Sequence, residues 1–181
     1  MKSQVLVDFV AYFTHNENLQ AEKELIALTE TTSNEKWTLS IDGSSNVKGT
    51  GLGLVLKSPH GDIVEQSIHC EFRATNNEAE YEALIVGLDL AKSLNVKNLQ
   101  VFSDSQLVVR QINGSYEARD QRMTAYLAKA KQLQSTFDEF TVQQIPRSEN
   151  SWANALAYLD STMTNESKSI PVIHLISPPT I

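Results

Sequence analysis

Three acidic residues stand where a folded chain could bring them together: Asp42, Glu80 and Asp104. Carboxylates without histidine or cysteine at metal-ligand spacing favour Mg²⁺ or Mn²⁺. Two carboxylates 4 Å apart repel each other by roughly 4 kcal/mol at an effective dielectric constant of 20, so three that converge need a compensating cation. Acidic clusters that hold two such ions carry out in-line chemistry at phosphorus. The pattern therefore predicts metal-assisted phosphoryl transfer.

Glu80 occupies an unusual position in a predicted helix. Thr75 and Glu78 form a capping box, so the helix should begin near Asn76. Glu80 lies four residues before Leu84, on the apolar stripe of this helix. This spacing predicts that the Glu80 carboxylate faces inward and needs a neutralising partner. The alternative is a half-exposed first-turn glutamate favoured by the helix dipole. The other acidic residues of this helix are expected on its solvated side: Glu78, Glu82 and Asp89.

Hydrophobic periodicity predicts an α/β fold with a five-stranded mixed sheet flanked by helices. The predicted strands are residues 37–42, 52–56, 63–72, 99–102 and 140–145, with a hairpin loop over 43–49. The predicted helices begin near residues 76, 105, 120 and 149. A helical crossover joins the third strand to the fourth, so the first and fourth strands should be parallel neighbours. Sites form at the carboxyl ends of such strands, which would place Asp42 and Asp104 in one crevice.

The composition limits the class of protein. A chain of 181 residues with 41% hydrophobic and 20% charged residues suits one globular domain with extensions. The single Cys70 predicts a reducing compartment, and no apolar run reaches membrane-spanning length. Asp8 interrupts the apolar start, so we expect no signal peptide and a cytoplasmic or nuclear, not secreted, protein. The net charge of −7 argues against sequence-independent binding of nucleic acid through a basic surface.

Four motifs in order resemble ribonuclease H over roughly residues 36–160: Ile-Asp42-Gly-Ser, Thr-Asn-Asn-Glu-Ala-Glu80, Ser-Asp104-Ser-Gln and Pro-Arg-Ser-Glu-Asn-Ser-Trp-Ala-Asn154-Ala-Leu-Ala. The segment over 3–13 resembles the connector before the ribonuclease H domain of plant gypsy-type LTR retrotransposon polyproteins. The segment over 169–174 is similar to the sequence that follows that domain. The resulting division is a connector (1–35), a ribonuclease H-like domain (36–160) and a tail (161–181) that is either a linker or an edge segment. A reverse transcriptase domain of the same polyprotein is an implied partner.

The resemblance implies hydrolysis of the RNA strand of RNA–DNA hybrids by a two-metal-ion mechanism. Asp42, Glu80 and Asp104 would bind two Mg²⁺ or Mn²⁺ ions, with Asp42 bridging both. Arg73 and Thr75 match a phosphate pocket for the DNA strand. The positions that match readers of hybrid shape and 2′-hydroxyls through the minor groove are Asn76, Asn77, Ser105 and Gln106. Helix capping is the alternative reading of Asn76 and Asn77.

The chain departs from the family pattern in ways that put the activity in question. Asn154 stands where relatives carry a fourth carboxylate; an amide oxygen can ligate a metal, but a charge is lost. The basic protrusion of some relatives and the catalytic-loop histidine of bacterial ones are missing, and Arg147 lies near the latter position. Trp152 is expected to pack in the core with Ala155, Leu156 and Leu159. Two alternatives therefore remain: a hybrid-binding module without useful turnover, and a scaffold domain that binds protein.

Overall fold

The computed structural model describes residues 35–162, 172–175 and 180–181, so nearly all of the predicted connector lies outside the described residues. The elements, in chain order, are β1 (Trp37–Asn46), β2 (Gly49–Lys57), β3 (Ile63–Cys70), α1 (Asn76–Ser93), β4 (Asn98–Ser103), α2 (Gln106–Ile112), α3 (Gln121–Gln134), β5 (Glu139–Gln144), a 3-10 turn (Arg147–Glu149), α4 (Ser151–Thr162) and β6 (Val172–Leu175). No helix among these is long and apolar enough to cross a membrane.

The strands form one mixed sheet in the order β5-β4-β1-β2-β3-β6. β1, β2 and β3 pair antiparallel, whereas β4 pairs parallel with both β1 and β5. The five predicted strands and the parallel pairing of the first with the fourth are therefore confirmed. β6, from the predicted tail, pairs parallel with β3 and adds a sixth strand at that edge.

β1 is longer than the sequence predicted, and the expectation that Asp42 ends it was wrong. Its parallel pairing with β4 stops at Ile41 opposite Ser103, but its antiparallel pairing with β2 continues to Asn46 opposite Gly49. Hydrogen bonds to β2, rather than burial of alternate apolar side chains, hold residues 43–46 in the strand. The sequence of these residues therefore shows no apolar alternation from which a strand could be predicted. Asp42 thus follows the last residue of the parallel ladder, next to the carboxyl end of β4.

Helix α1 is buried on both sides, which corrects the expected solvated face at Glu78 and Glu82; Asp89 is half-buried. It packs on β1 and β2, and α3 covers it from the other side. Glu78 is 7% exposed and pairs with Arg122 Nε at 2.8 Å; Glu82 is 2% exposed. The Glu82 carboxylate accepts from Tyr126 Oη at 2.7 Å and from the backbone N–H of Thr180 at 2.9 Å. These donors come from segments distant in sequence, so the periodicity of α1 could not reveal them.

Helix α4 packs on the opposite face of the sheet, against β1, β2 and β3. Its buried residues are small or aliphatic: Ala153, Leu156 and Ala157. This orientation turns Trp152 outward, so the prediction that it packs in the core was wrong. The side chain of Trp152 is 42% exposed, donates to Glu65 at 2.6 Å and lies 5.0 Å from Lys57 Nζ.

Candidate metal and nucleic-acid site

The structure brings three carboxylates together at the carboxyl end of the parallel strands. Asp42 comes from β1, Glu80 from the first turn of α1, and Asp104 from the residue after β4. Each offers an oxygen that lies within 4.8 Å of the other two. Asp42 and Glu80 are buried, and Asp104 is half-buried. The cluster is therefore a concentration of negative charge that is largely withdrawn from solvent.

Two local features place Glu80 in this cluster. The predicted capping box is present: Thr75 Oγ1 accepts from Glu78 N at 3.2 Å, and Glu78 Oε2 accepts from Thr75 N at 2.8 Å. The start of α1 is thereby fixed. Gly43 then lets β1 pass directly against the helix, since a Cβ at this position would lie 2.2 Å from the carbonyl of Ala79. The Gly43 N–H also donates to the Glu80 carboxylate.

Burial and mutual repulsion change the protonation of this cluster. Burial, followed by the charges of Asp42 and Asp104, raises the pKa of Glu80 to about 9. Burial and the charge of Asp104 raise the pKa of Asp42 to about 6, against an opposing effect of Arg147. A bound cation would reverse these shifts, because it stabilises the ionised carboxylates.

The donor set fits a hard divalent cation. Glu80 Oε2 is buried and has no hydrogen-bond partner among the residues that the structure describes. The three clustered groups offer only oxygen, the donor that Mg²⁺ and Mn²⁺ prefer. An ion here would supply the missing partner of Glu80 and offset the repulsion among the three carboxylates.

Asn154 lies beside this cluster, at the end of the first turn of α4. Its Nδ2 donates to Asp104 Oδ2 at 3.4 Å and to the carbonyl of Arg147 at 3.2 Å. Its Oδ1 is buried and, within the described parts of the chain, has no partner. The position predicted from the sequence to complete the acidic cluster is thus adjacent to it, but it brings an amide and no charge.

The six predicted nucleic-acid contacts flank the carboxylates in two groups. Before Glu80, the side chains of Arg73, Thr75, Asn76 and Asn77 are exposed. Thr75, and not Asn76, provides the N-cap of α1. The Oδ1 atom of Asn76 instead accepts from Ser45 N at 3.3 Å.

The second group follows Asp104. Ser105 is half-buried and provides the N-cap of α2, accepting from Val108 N at 3.3 Å. Gln106 is exposed. With its side-chain amide turned so that the oxygen faces Arg110, this oxygen accepts from the guanidinium at 2.7 Å. Both groups therefore lie within a few residues of a clustered carboxylate.

The sequence reasoning missed one buried polar residue at this site. Asn150 is 2% exposed, and its Nδ2 donates to the carbonyl of Ile41 at 2.8 Å. It belongs to the motif that ends at Asn154, but residue type alone could not distinguish it from a surface residue before a helix. The only available signal was its place four residues before Asn154.

A family described as "Reverse transcriptase-like" matches residues 40–159. The ribonuclease HI of Halobacterium salinarum is 36% identical over 118 residues, which cover 64% of this chain and 59% of that protein. A bifunctional protein of Mycobacterium tuberculosis is 34% identical over 125 residues, which cover 67% of this chain and 34% of that protein. The chain thus spans less than two thirds of the length of these relatives.

Solved structures extend the comparison. The crystal structure of Halobacterium salinarum ribonuclease H1 has a TM-score of 0.65 at 34% identity and covers 69% of this chain and 96% of its own. The N-terminal ribonuclease H domain of the Mycobacterium tuberculosis protein gives 0.63 at 31% identity, with 71% and 94% covered. LC11-RNase H1 in complex with an RNA/DNA hybrid gives 0.61 at 28%, with 67% and 94% covered. The family match and these identities show that the chain belongs to the ribonuclease H family of enzymes.

Proposed function

We propose that this protein is a metal-dependent endonuclease that hydrolyses the RNA strand of RNA–DNA hybrids. The observation that carries the proposal is the convergence of Asp42, Glu80 and Asp104 within 4.8 Å. Two further findings support it: relatives of this chain are ribonucleases H, and one similar protein was solved with an RNA/DNA hybrid bound.

Asp42, Glu80 and Asp104 would hold two Mg²⁺ or Mn²⁺ ions. Bound ions of this kind activate an attacking water and stabilise the leaving oxygen at phosphorus. The chain's own part is to hold and orient three carboxylates from three separate elements; the bound cations would keep them ionised. Arg147, whose charge lowers the pKa of Asp42, supplies a fixed positive charge at the edge of the cluster.

The six residues before Glu80 and after Asp104, all exposed except the half-buried Ser105, would orient the hybrid. Arg73 and Thr75 suit a phosphate of the DNA strand, because a guanidinium and a hydroxyl both donate to phosphate oxygens. The amide and hydroxyl groups at Asn76, Asn77, Ser105 and Gln106 suit 2′-hydroxyl groups and base edges in the minor groove. The scissile phosphate would then lie over the carboxylates between the two groups.

Asn154 would lower the activity, since it contributes an amide where a fourth negative charge would strengthen metal binding. The same observation favours a second candidate function, a hybrid-binding module with little turnover. A net charge of −7 is consistent with either, because each can approach nucleic acid through local basic residues or through bound cations. The exposed Trp152 favours the third candidate, a scaffold domain that binds protein.

The retroelement setting is also part of the proposal. A reverse transcriptase domain of the same polyprotein would be the partner; the "Reverse transcriptase-like" family match itself covers residues 40–159, the ribonuclease H-like part of this chain. The plant gypsy-type assignment depends on residues 3–13, which lie outside the described residues, and on 169–174, of which only 172–174 are described, in β6. A cytoplasmic or nuclear location follows from that setting.

The test is cleavage of a labelled RNA–DNA hybrid with Mg²⁺ or Mn²⁺. We expect cuts in the RNA strand only, a rate at least about tenfold higher for Asn154→Asp, and no cleavage by Asp42→Asn. Asn113→Asp, an asparagine substitution at the C-terminus of α2 and outside the acidic site, is the matched control and should leave the cleavage rate close to that of the unmodified protein. No cleavage by either the unmodified protein or Asn154→Asp would reject the nuclease and leave the binding module or the scaffold.

A further inference from the structure

The side chain of Asn150 joins the start of α4 to the strand that carries Asp42. Its Nδ2 donates to the carbonyl of Ile41 at 2.8 Å, across 109 residues of sequence. Ile41 is the last residue of β1 that pairs with β4, and the next residue is Asp42. The amide therefore supplies a buried donor to the backbone where the parallel ladder stops.

The same residue sets the first turn of α4. The Asn150 carbonyl accepts from the N–H of Asn154 at 3.0 Å. Asn154 in turn directs its amide to Asp104 at 3.4 Å. One residue thus connects the backbone beside Asp42 with the helical turn whose Asn154 side chain contacts Asp104.

Helix capping does not explain the Asn150 side chain. A capping asparagine accepts from a backbone N–H of the first helical turn through its Oδ1. Here Oδ1 is buried and has no partner in the part of the chain that the structure describes. The hydrogen bond that the side chain does make leads away from the helix, to β1.

The rest of α4 is held to the sheet further along its length. Ser67 Oγ donates to the carbonyl of Leu156 at 2.6 Å, and Ser44 Oγ donates to that of Ala157 at 3.3 Å. These contacts hold the middle of the helix on β1 and β3, so loss of the Asn150 contact should release the first turn without detaching the helix.

We propose that Asn150 is a positioning residue for the metal site: it holds the first turn of α4 against β1, so that Asn154 and Asp104 keep their place relative to Asp42. This inference rests on the proposed function, because it concerns the same acidic site. It predicts that loss of the side-chain contact weakens metal binding more than it weakens the fold. Groups that orient metal ligands typically change metal affinity by about 10- to 100-fold when they are replaced.

Asn150→Ser separates positioning from capping. Serine caps helices as well as asparagine does, but its shorter side chain cannot reach Ile41. The experiment is Mn²⁺ titration of the protein without nucleic acid, followed by electron paramagnetic resonance of the free ion, alongside thermal unfolding in EDTA. We expect Asn150→Ser to bind Mn²⁺ about tenfold or more weakly, with an unfolding temperature close to that of the unmodified protein.

Asn113→Ser is the matched control, since Asn113 also donates from Nδ2 to a strand carbonyl, that of Val142 at 3.5 Å, but outside the acidic site. It should leave Mn²⁺ binding unchanged. Equal Mn²⁺ affinity for Asn150→Ser and the unmodified protein would overturn the inference, as would a loss of affinity matched by equal loss of stability. Because the titration needs no cleavage, failure of the nuclease assay alone would leave this test intact.

Discussion

The buried carboxylates of the site lower the free energy of unfolding of the metal-free protein at neutral pH. Asp42 and Glu80 have pKa values of about 6 and 9, against ordinary values of 3.8 and 4.5. The folded chain thus binds these protons more tightly than the unfolded chain does. Their effect on the free energy of unfolding is neutral below about pH 4 and becomes increasingly unfavourable as the pH rises through the folded pKa values. Metal binding would remove this cost at neutral pH.

Asp42→Asn should therefore stabilise the metal-free protein at pH 8 while it abolishes activity. We expect a gain of about 1–3 kcal/mol in the free energy of unfolding, from the repulsion and desolvation that the neutral amide avoids. The gain should shrink toward zero near pH 4, where the aspartate of the unmodified protein is protonated. Denaturant unfolding in EDTA over pH 4–8 measures it, with Asp138→Asn, an exposed aspartate, as control. A gain independent of pH would contradict the assignment of repulsion to Asp42.

Asn150 and Gly43 show what supports these charges at the residue scale. Neither residue carries a charge, yet each determines how closely two backbone segments approach. Asn150 holds α4 to β1 through a hydrogen bond, and Gly43 lets α1 lie against β1 because it has no side chain. The acidic residues could be identified by type in the sequence, whereas these supporting residues gain their roles only from contacts with distant segments.

At the scale of elements, the packing of α4 on the sheet depends on Gly53. A Cβ at Gly53 would lie 2.0 Å from the carbonyl oxygen of Ala153 and 2.7 Å from the backbone N of Ala157. Neither backbone atom can move aside cheaply. Gly53→Ala should therefore push α4 away from β2 and destabilise the fold by about 1–3 kcal/mol or more.

Gly87→Ala in α1 is the matched control for this substitution. Its added Cβ would meet Leu39 Cδ2 at 2.7 Å, the end of a flexible side chain, and alanine favours a helix interior by about 1 kcal/mol over glycine. We expect a much smaller change for Gly87→Ala in thermal or denaturant unfolding. A Gly53→Ala variant as stable as the unmodified protein would show that α4 can shift without cost and would remove Gly53 from the account of how Asn154 is placed.

The contact between α1 and α3 depends on a buried acid, Glu82, and its donor, Tyr126. Tyr126→Phe removes the 2.7 Å hydrogen bond and leaves the Glu82 carboxyl with one donor fewer. We expect a loss of about 1–3 kcal/mol in the free energy of unfolding. Burial raises the pKa of Glu82 and the Tyr126 hydroxyl lowers it, so the loss should grow as the pH rises and Glu82 must ionise.

Tyr116→Phe provides the comparison, because Tyr116 is 41% exposed and its hydroxyl accepts from the half-buried Arg110. This variant should lose little stability at any pH between 5 and 9. If Tyr126→Phe behaves like Tyr116→Phe, the hydroxyl of Tyr126 contributes nothing to the α1–α3 contact, and another group must satisfy Glu82.

For the molecule as a whole, the sequence predicted what depends on local pattern and on chain connectivity. The strands follow from alternation, the start of α1 from its capping box, and the neighbouring positions of β1 and β4 from the helical crossover between β3 and β4. Together these place Asp42 near Asp104. The burial of Glu82 and the exposure of Trp152 could not be predicted, since they depend on which distant helix or strand covers each position. The extension of β1 depends likewise on its partner, β2.

The net charge of the molecule predicts weakly salt-dependent binding of nucleic acid. Arg122 pairs with Glu78, and Lys131 donates to the carbonyl of Ile112, so these cations of the long helix α3 are already engaged. Two exposed cations remain for the hybrid: Arg73, which precedes α1, and Arg147, whose charge acts on Asp42. Two phosphate contacts give a slope of about −2 for the logarithm of the hybrid association constant against the logarithm of salt concentration.

Fluorescence anisotropy of a labelled hybrid in EDTA, titrated at several KCl concentrations, measures this slope. We expect Arg73→Ala to reduce its magnitude by about 1 and to weaken binding, because one phosphate contact and its released counterion are lost. Arg122→Ala, the matched control on α3, should leave the slope unchanged, since its guanidinium faces Glu78. A slope steeper than about −5 would mean that other basic residues form an extended phosphate-binding surface. A slope unaffected by Arg73→Ala would remove this residue from the DNA-strand contact and with it the proposed path of the hybrid across the start of α1.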